Sequence, residues 1–178
     1  MNPSLSTMSL RNKLSQVKSR DLYGREFISR SALRQLITVA ATKWHLVWSC
    51  KVDPEPTIVE SIVQNASQLF AILIMISEER FVSEAIKQGW CDDKLPLSEA
   101  DVQYFRDLRI SRCFMETQWL FPPVFRSKSH LELPGNAALP FTDREFLGDG
   151  AFGVVVSIKV AEGHLPEHNT VSLTISAS

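Results

Sequence analysis

Apolar residues recur every three or four positions over most of the first 110 residues, which is the spacing of amphipathic α-helices. A first helix is predicted to begin with Ser29 or Ser31 as its N-cap and to end before Asp53-Pro54-Glu55-Pro56. Its apolar stripe consists of Leu33, Leu36, Ile37 and Ala40, and it can extend to Trp44, Val47 or Trp48. We interpret Trp44 and Trp48 as a packed pair four residues apart and not as an aromatic ligand site.

The most apolar helix of the chain is predicted to follow directly. Thr57-Ile58-Val59-Glu60 has the form of a capping box, with Thr57 as N-cap and Glu60 reaching back to it. One face then carries a continuous apolar stripe, widened by Val63 and Phe70: Ile62, Ala66, Leu69, Leu73 and Ile76. The sequence therefore places this helix centrally among the others.

Two shorter helices are predicted next. One runs from about Glu78 to Gln88 and ends at Gly89, a residue that suits the left-handed conformation after a helix. The other begins at Ser98-Glu99-Ala100-Asp101. The side chains expected to point inward are Phe81, Val82, Ala85 and Ile86 in the first, and Val102, Phe105 and Leu108 in the second.

The segments on either side of this helical unit have weaker patterns. Residues 1–20 show little apolar periodicity, so a flexible N-terminus is predicted. From Ile110 to Phe125 the pattern is less decided: apolar residues alternate, which allows an extended segment that Pro122-Pro123 ends. We interpret residues 111–138 as an aromatic and proline-rich connector.

A glycine motif follows the connector, in Leu147-Gly148-Asp149-Gly150-Ala151-Phe152-Gly153-Val154-Val155. Glycines in this spacing allow a sharp turn that exposes backbone N–H groups to a polyphosphate. A dinucleotide-binding loop would open a helix here. The continuation Val154-Val155-Val156-Ser157-Ile158-Lys159-Val160 is β-branched instead, so the motif is predicted to connect two strands.

This strand, glycine turn and strand resemble the ATP-covering loop of protein kinases. With Leu139-Pro140-Phe141 before it, the segment is most similar to serine/threonine kinases of filamentous fungi, in which a helical region precedes the kinase domain. The resemblance implies that Leu147 and Val155 cover an adenine ring, and that the turn covers the phosphates. The implied nucleotide-binding residues are Leu147, Gly148, Asp149, Gly150, Ala151, Phe152, Gly153 and Val155. A hairpin unrelated to nucleotides is the alternative.

The departures from the kinase pattern predict that this chain is inactive. Thr174 stands where the family has a third-strand lysine, and Lys159, six residues after Gly153, reads as a solvated strand lysine. No His-Arg-Asp or Asp-Phe-Gly motif follows before Ser178. ATP with Mg²⁺ is the cofactor of the intact family, whereas no bound cofactor and no catalytic or metal-binding residue are expected here.

Composition narrows the remaining possibilities. The net charge of −1 favours neither nucleic acid nor an anionic membrane. Residues 11–34 are basic, however, and form either a solvated face or flexible arm, or a contact for nucleic acid or an acidic partner. Three scattered cysteines suit a reduced, intracellular, cytoplasmic setting. His164 and His168 flank Pro166 in a predicted loop, so we do not assign them to a metal.

The fold predicted from these patterns is α+β, with a mainly α N-terminal region followed by a truncated kinase N-lobe hairpin. Its parts are a flexible N-terminus (1–20), a helical unit (21–110), the connector (111–138) and the hairpin region (139–178). Three functions stay open: an inactive N-terminal piece of a kinase, a non-enzymatic module whose helical unit binds a protein, and a truncated gene relic. We expect residues 139–178 to be less stable than the helical unit, because an isolated two-stranded hairpin is marginal.

Overall fold

The computed structural model describes residues 9–51, 53–124, 133–135, 137–150 and 153–165. Within these ranges the fold is mainly α-helical with two antiparallel hairpins, which confirms the predicted α+β class. The helices are α1 Leu10–Gln16, α2 Arg30–Leu36, α3 Val39–Cys50, α4 Pro56–Asn65, α5 Ser67–Met75, α6 Val82–Lys87, α7 Glu99–Val102 and α8 Leu108–Thr117. The strands pair as β1 Ser19–Arg20 with β2 Glu26–Phe27, and β3 Phe141–Gly150 with β4 Gly153–Val160.

The core is built around α5, which is buried along almost its whole length. Seven consecutive residues from Gln68 to Ile74 are buried, as the apolar sequence predicts for a central helix. Helices α1, α2, α4, α6 and α8 contact it. One contiguous apolar cluster therefore unites the helices.

The N-terminal segment is ordered where the sequence predicts flexibility. Ser9 caps α1 by accepting a hydrogen bond from the Asn12 amide. Leu10 and Leu14 are buried, because their spacing of four residues places both on the face that contacts α5. The prediction of a flexible 1–20 segment is therefore wrong for residues 9–20, while residues 1–8 lie outside the described residues.

The first predicted helix is divided in two. Ser29 is its N-cap, as predicted, and accepts a hydrogen bond from the Ala32 amide. The chain leaves helical geometry at Ile37, and Thr38 then caps α3 through the Ala41 amide. The sequence pattern did not reveal this break, because Thr38 also fits within a continuous helix.

The second predicted helix is also divided, and its predicted N-cap is wrong. Glu55 is the N-cap of α4 and Pro56 occupies the first turn, where its fixed φ and missing N–H suit a helix start. At Ala66 the backbone leaves helical geometry, so α4 and α5 meet at 98°. Within the described ranges, no single helix is both long and apolar enough to span a membrane, and only this bent pair passes by length and composition.

The remaining helical segments are shorter than predicted. A 3₁₀ turn at Glu79–Phe81 leads into α6, and Gly89 adopts a φ of +78° after it, as expected for a helix end. Ser98 and Asp101 form a reciprocal capping box at the start of α7. Val102 and Phe105 are buried as predicted, but Leu108 is 88% exposed because α8 begins there and turns it outward.

Residues 108–120 are helical and not extended. Helix α8 continues into a 3₁₀ turn at Gln118–Leu120. Ile110, Phe114 and Gln118 are buried and lie four residues apart, which is helical spacing. The alternation of apolar residues in the sequence therefore does not reflect an extended segment. The side chain of Gln118 bonds both the amide and the carbonyl of Leu97, which connects the start of α7 to α8.

Candidate functional site

The glycine motif lies at the end of the β3–β4 hairpin, as the sequence predicts. Gly150 pairs with Gly153, Asp149 with Val154, and Gly148 with Val155. Strand therefore continues on both sides of the glycines, and no helix begins after them. Two of the predicted nucleotide-binding residues, Ala151 and Phe152, lie outside the described residues.

The apolar residues beside the glycines are exposed. A register shift between Phe146 and Gly148 leaves Leu147 as the extra residue of β3. Leu147 is 62% exposed and Val155 is 59% exposed, and Phe146 and Val154 are similarly exposed. In the part of the chain that the structure describes, no other element covers this end of the hairpin.

The other end of the hairpin is fixed to the helical body. The Leu22 amide donates a hydrogen bond to the Phe141 carbonyl (3.0 Å). Within the hairpin, the Ala161 amide donates to the Pro140 carbonyl (2.7 Å) and closes its base. Ala137, Ala138 and Phe141 are buried there. The hairpin is therefore anchored at its base, at the end opposite Gly150 and Gly153.

Asp21 organises one side of this anchor. Its buried carboxylate accepts hydrogen bonds from the amides of Tyr23, Arg25 and Leu139. The Arg25 guanidinium pairs with the same carboxylate at 2.9 Å. Burial alone would raise the pKa of Asp21, but these hydrogen bonds outweigh it and lower the pKa below its ordinary value. Asp21 is therefore a charged acceptor that joins the β1–β2 turn to the entry of β3.

His164 organises the other side, a role that no local pattern in the sequence predicts. Its ring is fully buried, with Nε2 accepting from the Arg30 amide (3.2 Å) and Nδ1 donating to the Pro123 carbonyl (3.2 Å). The Phe27 ring packs edge-on against it. Burial lowers the pKa of His164 to about 4, with the nearby Arg30 charge acting in the same direction. His164 is therefore a neutral structural residue that connects the segment after β4 to α2.

Gly163 allows the chain to reach this position, and its replacement should loosen the docking. Its φ is +86°, and an added Cβ would lie 3.0 Å from the Cβ of Arg30. We expect Gly163→Ala to weaken hairpin docking by about 2 kcal/mol, through backbone strain and this close approach. Amide exchange of Leu22 measures the effect.

Gly89→Ala is the matched control, because Gly89 has a φ of +78° but only an ordinary contact with Lys94. It should destabilise the helical body by about 1 kcal/mol and leave hairpin docking unchanged. Equal exchange of the Leu22 amide in the two variants would show that Gly163 does not limit the docking.

A second exposed apolar surface lies on α3, and we call it the tryptophan face. Trp44 and Trp48 stack in parallel, with ring centroids 5.9 Å apart, which confirms the predicted packing at i, i+4. Both rings remain more than half exposed, and Val39 and Val47 lie beside them. The Lys51 ammonium lies 4.6 Å from the centre of the Trp48 ring. The pair is therefore an exposed surface and not part of the core.

Two further kinds of candidate residue lie in the described ranges, metal-ligating side chains and Lys159. No group of three or more His, Cys, Asp or Glu side chains there is arranged to hold a metal ion. Lys159 is exposed on β4, in agreement with its interpretation as a solvated lysine. Thr174 and His168 lie outside the described residues.

Comparison with known proteins adds no relative. No protein-family model, curated protein or solved structure matches this chain. The kinase resemblance therefore rests on the residues of the glycine motif and its flanking segments.

Proposed function

We propose that this chain is the N-terminal part of a serine/threonine protein kinase, a helical body that carries the nucleotide-covering hairpin and transfers no phosphate by itself. The observation that supports this most directly is the antiparallel hairpin, with strand on both sides of the glycines. A kinase uses this arrangement to cover the phosphates of ATP. A dinucleotide-binding fold would have placed a helix there.

The lack of phosphate transfer follows from what a hairpin can supply alone. Its backbone can approach a polyphosphate, but transfer also requires positive charge, metal ligands and a residue that orients the attacking hydroxyl. Leu147 and Val155, which would contact the adenine, face solvent in the described structure. A nucleotide bound to this hairpin alone would therefore be covered on one side only, and its three charged phosphates would remain exposed to water.

The proposal is tested on the longest product of the gene. Messenger RNAs that contain this coding region are sequenced to their 3′ ends, and the longest encoded protein is assayed with MgATP and a protein substrate. We expect a frame that continues into Ala-x-Lys and His-Arg-Asp. Gly150→Val should then lower kcat/KM about tenfold or more, because the β-branched side chain obstructs backbone approach to the phosphates.

Gly135→Val is the matched control, since a Cβ at Gly135 meets nothing within 4 Å. It should leave kcat/KM unchanged. Transcripts without any kinase motif downstream would contradict the proposal, as would a longer enzyme that tolerates Gly150→Val.

The tryptophan face favours a second candidate function, that of a protein-binding module. Helix α3 and its C-cap carry Lys43 and Lys51 and no acidic residue. Lys43 pairs with Asp53 at 3.6 Å, so Lys51 is the cation that lies beside the rings. Exposed aromatic rings beside lysines suit a protein segment that combines apolar side chains with carboxylates. We propose such an acidic, apolar segment as the partner of this face.

A binding experiment with matched variants tests this second candidate. Trp44→Ser with Trp48→Ser should abolish recovery of a stoichiometric protein partner, because aromatic anchors contribute most of the energy of such contacts. Tyr23→Ser is the control, since Tyr23 is equally exposed but lies on the β1–β2 turn. Recovery that the tryptophan variant leaves unchanged would exclude the tryptophan face as the binding surface.

A further inference from the structure

The way in which His164 holds the hairpin fixes its protonation state. Both bonds of the ring are to backbone groups, whose roles as donor and acceptor cannot change. The Arg30 amide can only donate, so Nε2 must carry a lone pair. The Pro123 carbonyl can only accept, so Nδ1 must carry the proton. The bound form is therefore a single tautomer of the neutral imidazole.

Protonation is incompatible with this geometry. A proton on Nε2 would point at the N–H of Arg30, so an attractive contact would become a repulsion between two donors. Among the described residues, the charged group that acts on the ring is Arg30, and no carboxylate there compensates. The guanidinium of Arg30 lies 4.0 Å from Asp92, β2 contributes the uncharged Phe27 ring, and the segment after α8 contributes the Pro123 carbonyl.

We propose that His164 is a proton-operated latch. As the neutral imidazole it holds the segment after β4 against the start of α2, and on protonation it releases this segment. The segment around it docks closely, since a Cβ at Gly163 would lie 3.0 Å from the Arg30 Cβ and 3.5 Å from the Ser31 amide nitrogen. Asp21 holds the β3 side through Leu139, and the two sides undock together because β3 and β4 are paired along their length. This latch is independent of nucleotide binding and does not rest on the proposed function.

The direction of the pH effect follows from the two protonation states. An undocked histidine has an ordinary pKa of 6.5, whereas docked His164 has one of about 4, so the docked state binds fewer protons. Docking is therefore strongest above pH 6.5 and weakens as the pH falls toward 4. Between about pH 7.5 and about pH 5 the undocking equilibrium should rise about 30-fold. Asp21 stays ionised over this range, because its own pKa is lowered.

Amide exchange in the whole chain tests the latch. The Leu22 amide donates to Phe141 and the Leu139 amide donates to Asp21, and both hydrogen bonds cross the base of the docked hairpin without contacting His164. The protection of these two amides from exchange therefore reports docking. We expect their protection, corrected for intrinsic exchange, to fall about 30-fold between about pH 7.5 and about pH 5. The Phe70 amide, which bonds Ala66 within the core, is the internal control and should not change.

His164→Asn removes the titrating group and should make the protection of Leu22 and Leu139 nearly independent of pH, within about twofold. The same 30-fold fall in this variant would overturn the proposal. If the variant does not fold, an imidazole NMR titration of the unmodified chain decides. A neutral Nδ1–H tautomer that persists below pH 5 supports the latch, whereas protonation near the ordinary pKa with Leu22 and Leu139 still protected overturns it.

Discussion

Phe114→Ala is expected to lower the free energy of unfolding by about 4 kcal/mol, the largest effect of any single change considered. The Phe114 side chain is completely buried on α8. Its ring packs 5.7 Å from that of Phe105 and 6.3 Å from that of Trp90, measured between centroids. Truncation would leave a cavity at the junction of α7, α8 and the segment after α6, and the rings around it are too large to fill it. Chemical denaturation followed by circular dichroism measures the loss.

Leu108→Ala is the matched control on the same helix. Leu108 is 88% exposed, so its truncation should change the free energy of unfolding by less than about 0.5 kcal/mol. Comparable losses in the two variants would contradict the orientation of α8 described above. Comparing the two variants also distinguishes a helix at residues 108–117 from an extended segment, because an extended segment would bury a different set of side chains.

Asp92→Ala is expected to lower the free energy of unfolding by about 3 kcal/mol. The Asp92 carboxylate accepts hydrogen bonds from the Ser67 hydroxyl and from the amides of Gln68 and Leu69. It thereby caps α5, which lacks a cap from its own N-cap residue Ala66. Burial raises the pKa of Asp92, and the hydrogen bonds from α5 oppose this rise. Alanine would leave three donors without this acceptor beside the central helix.

Ser98→Ala provides the comparison for this cap. Ser98 caps α7 at an exposed position, so its loss should cost only about 1 kcal/mol in the same denaturation experiment. A smaller loss for Asp92→Ala than for Ser98→Ala would show that the buried carboxylate is not needed at the start of α5. Asp92→Asn should lower the free energy of unfolding by an amount between the losses for Asp92→Ala and Ser98→Ala, because the asparagine amide oxygen retains one acceptor.

Local sequence signals predicted the helix ends and the hairpin that depend only on neighbouring residues. Ser29, Ser98 and Gly89 occupy the helix termini expected of them, since capping depends on residues within one turn. The hairpin was predictable for the same reason. Its β-branched strand and its glycines lie together in sequence, and the pairing they form is between neighbours.

The breaks at Ile37 and Ala66 were not predictable from the local pattern, because Thr38 fits equally within a continuous helix and the break at Ala66 depends on a distant residue. The cap that allows α5 to begin comes from Asp92, more than twenty residues later. The apolar stripe continues across both breaks, because each new helix buries its side chains in the same core. Periodicity therefore shows that these residues are buried helix without showing where one helix ends.

The anchoring of the hairpin was missed for a similar reason. His164 contacts Arg30 across 134 residues, and Asp21 contacts Leu139 across 118. Nothing near either residue in the sequence marks it as a junction. The predicted nucleotide-binding residues Leu147 to Val155 do lie together at the glycine turn, apart from Ala151 and Phe152, which are outside the described residues.

We propose that this chain carries the glycine hairpin without the charge and metal ligands that phosphate transfer requires. The sharpest test adds radiolabelled MgATP to the purified 178-residue chain with a protein acceptor, and titrates MgATP into the same preparation by calorimetry. We predict no label on any protein and no measurable heat of binding. Transfer of the γ-phosphate, or saturable binding that Gly150→Val weakens, would overturn this proposal.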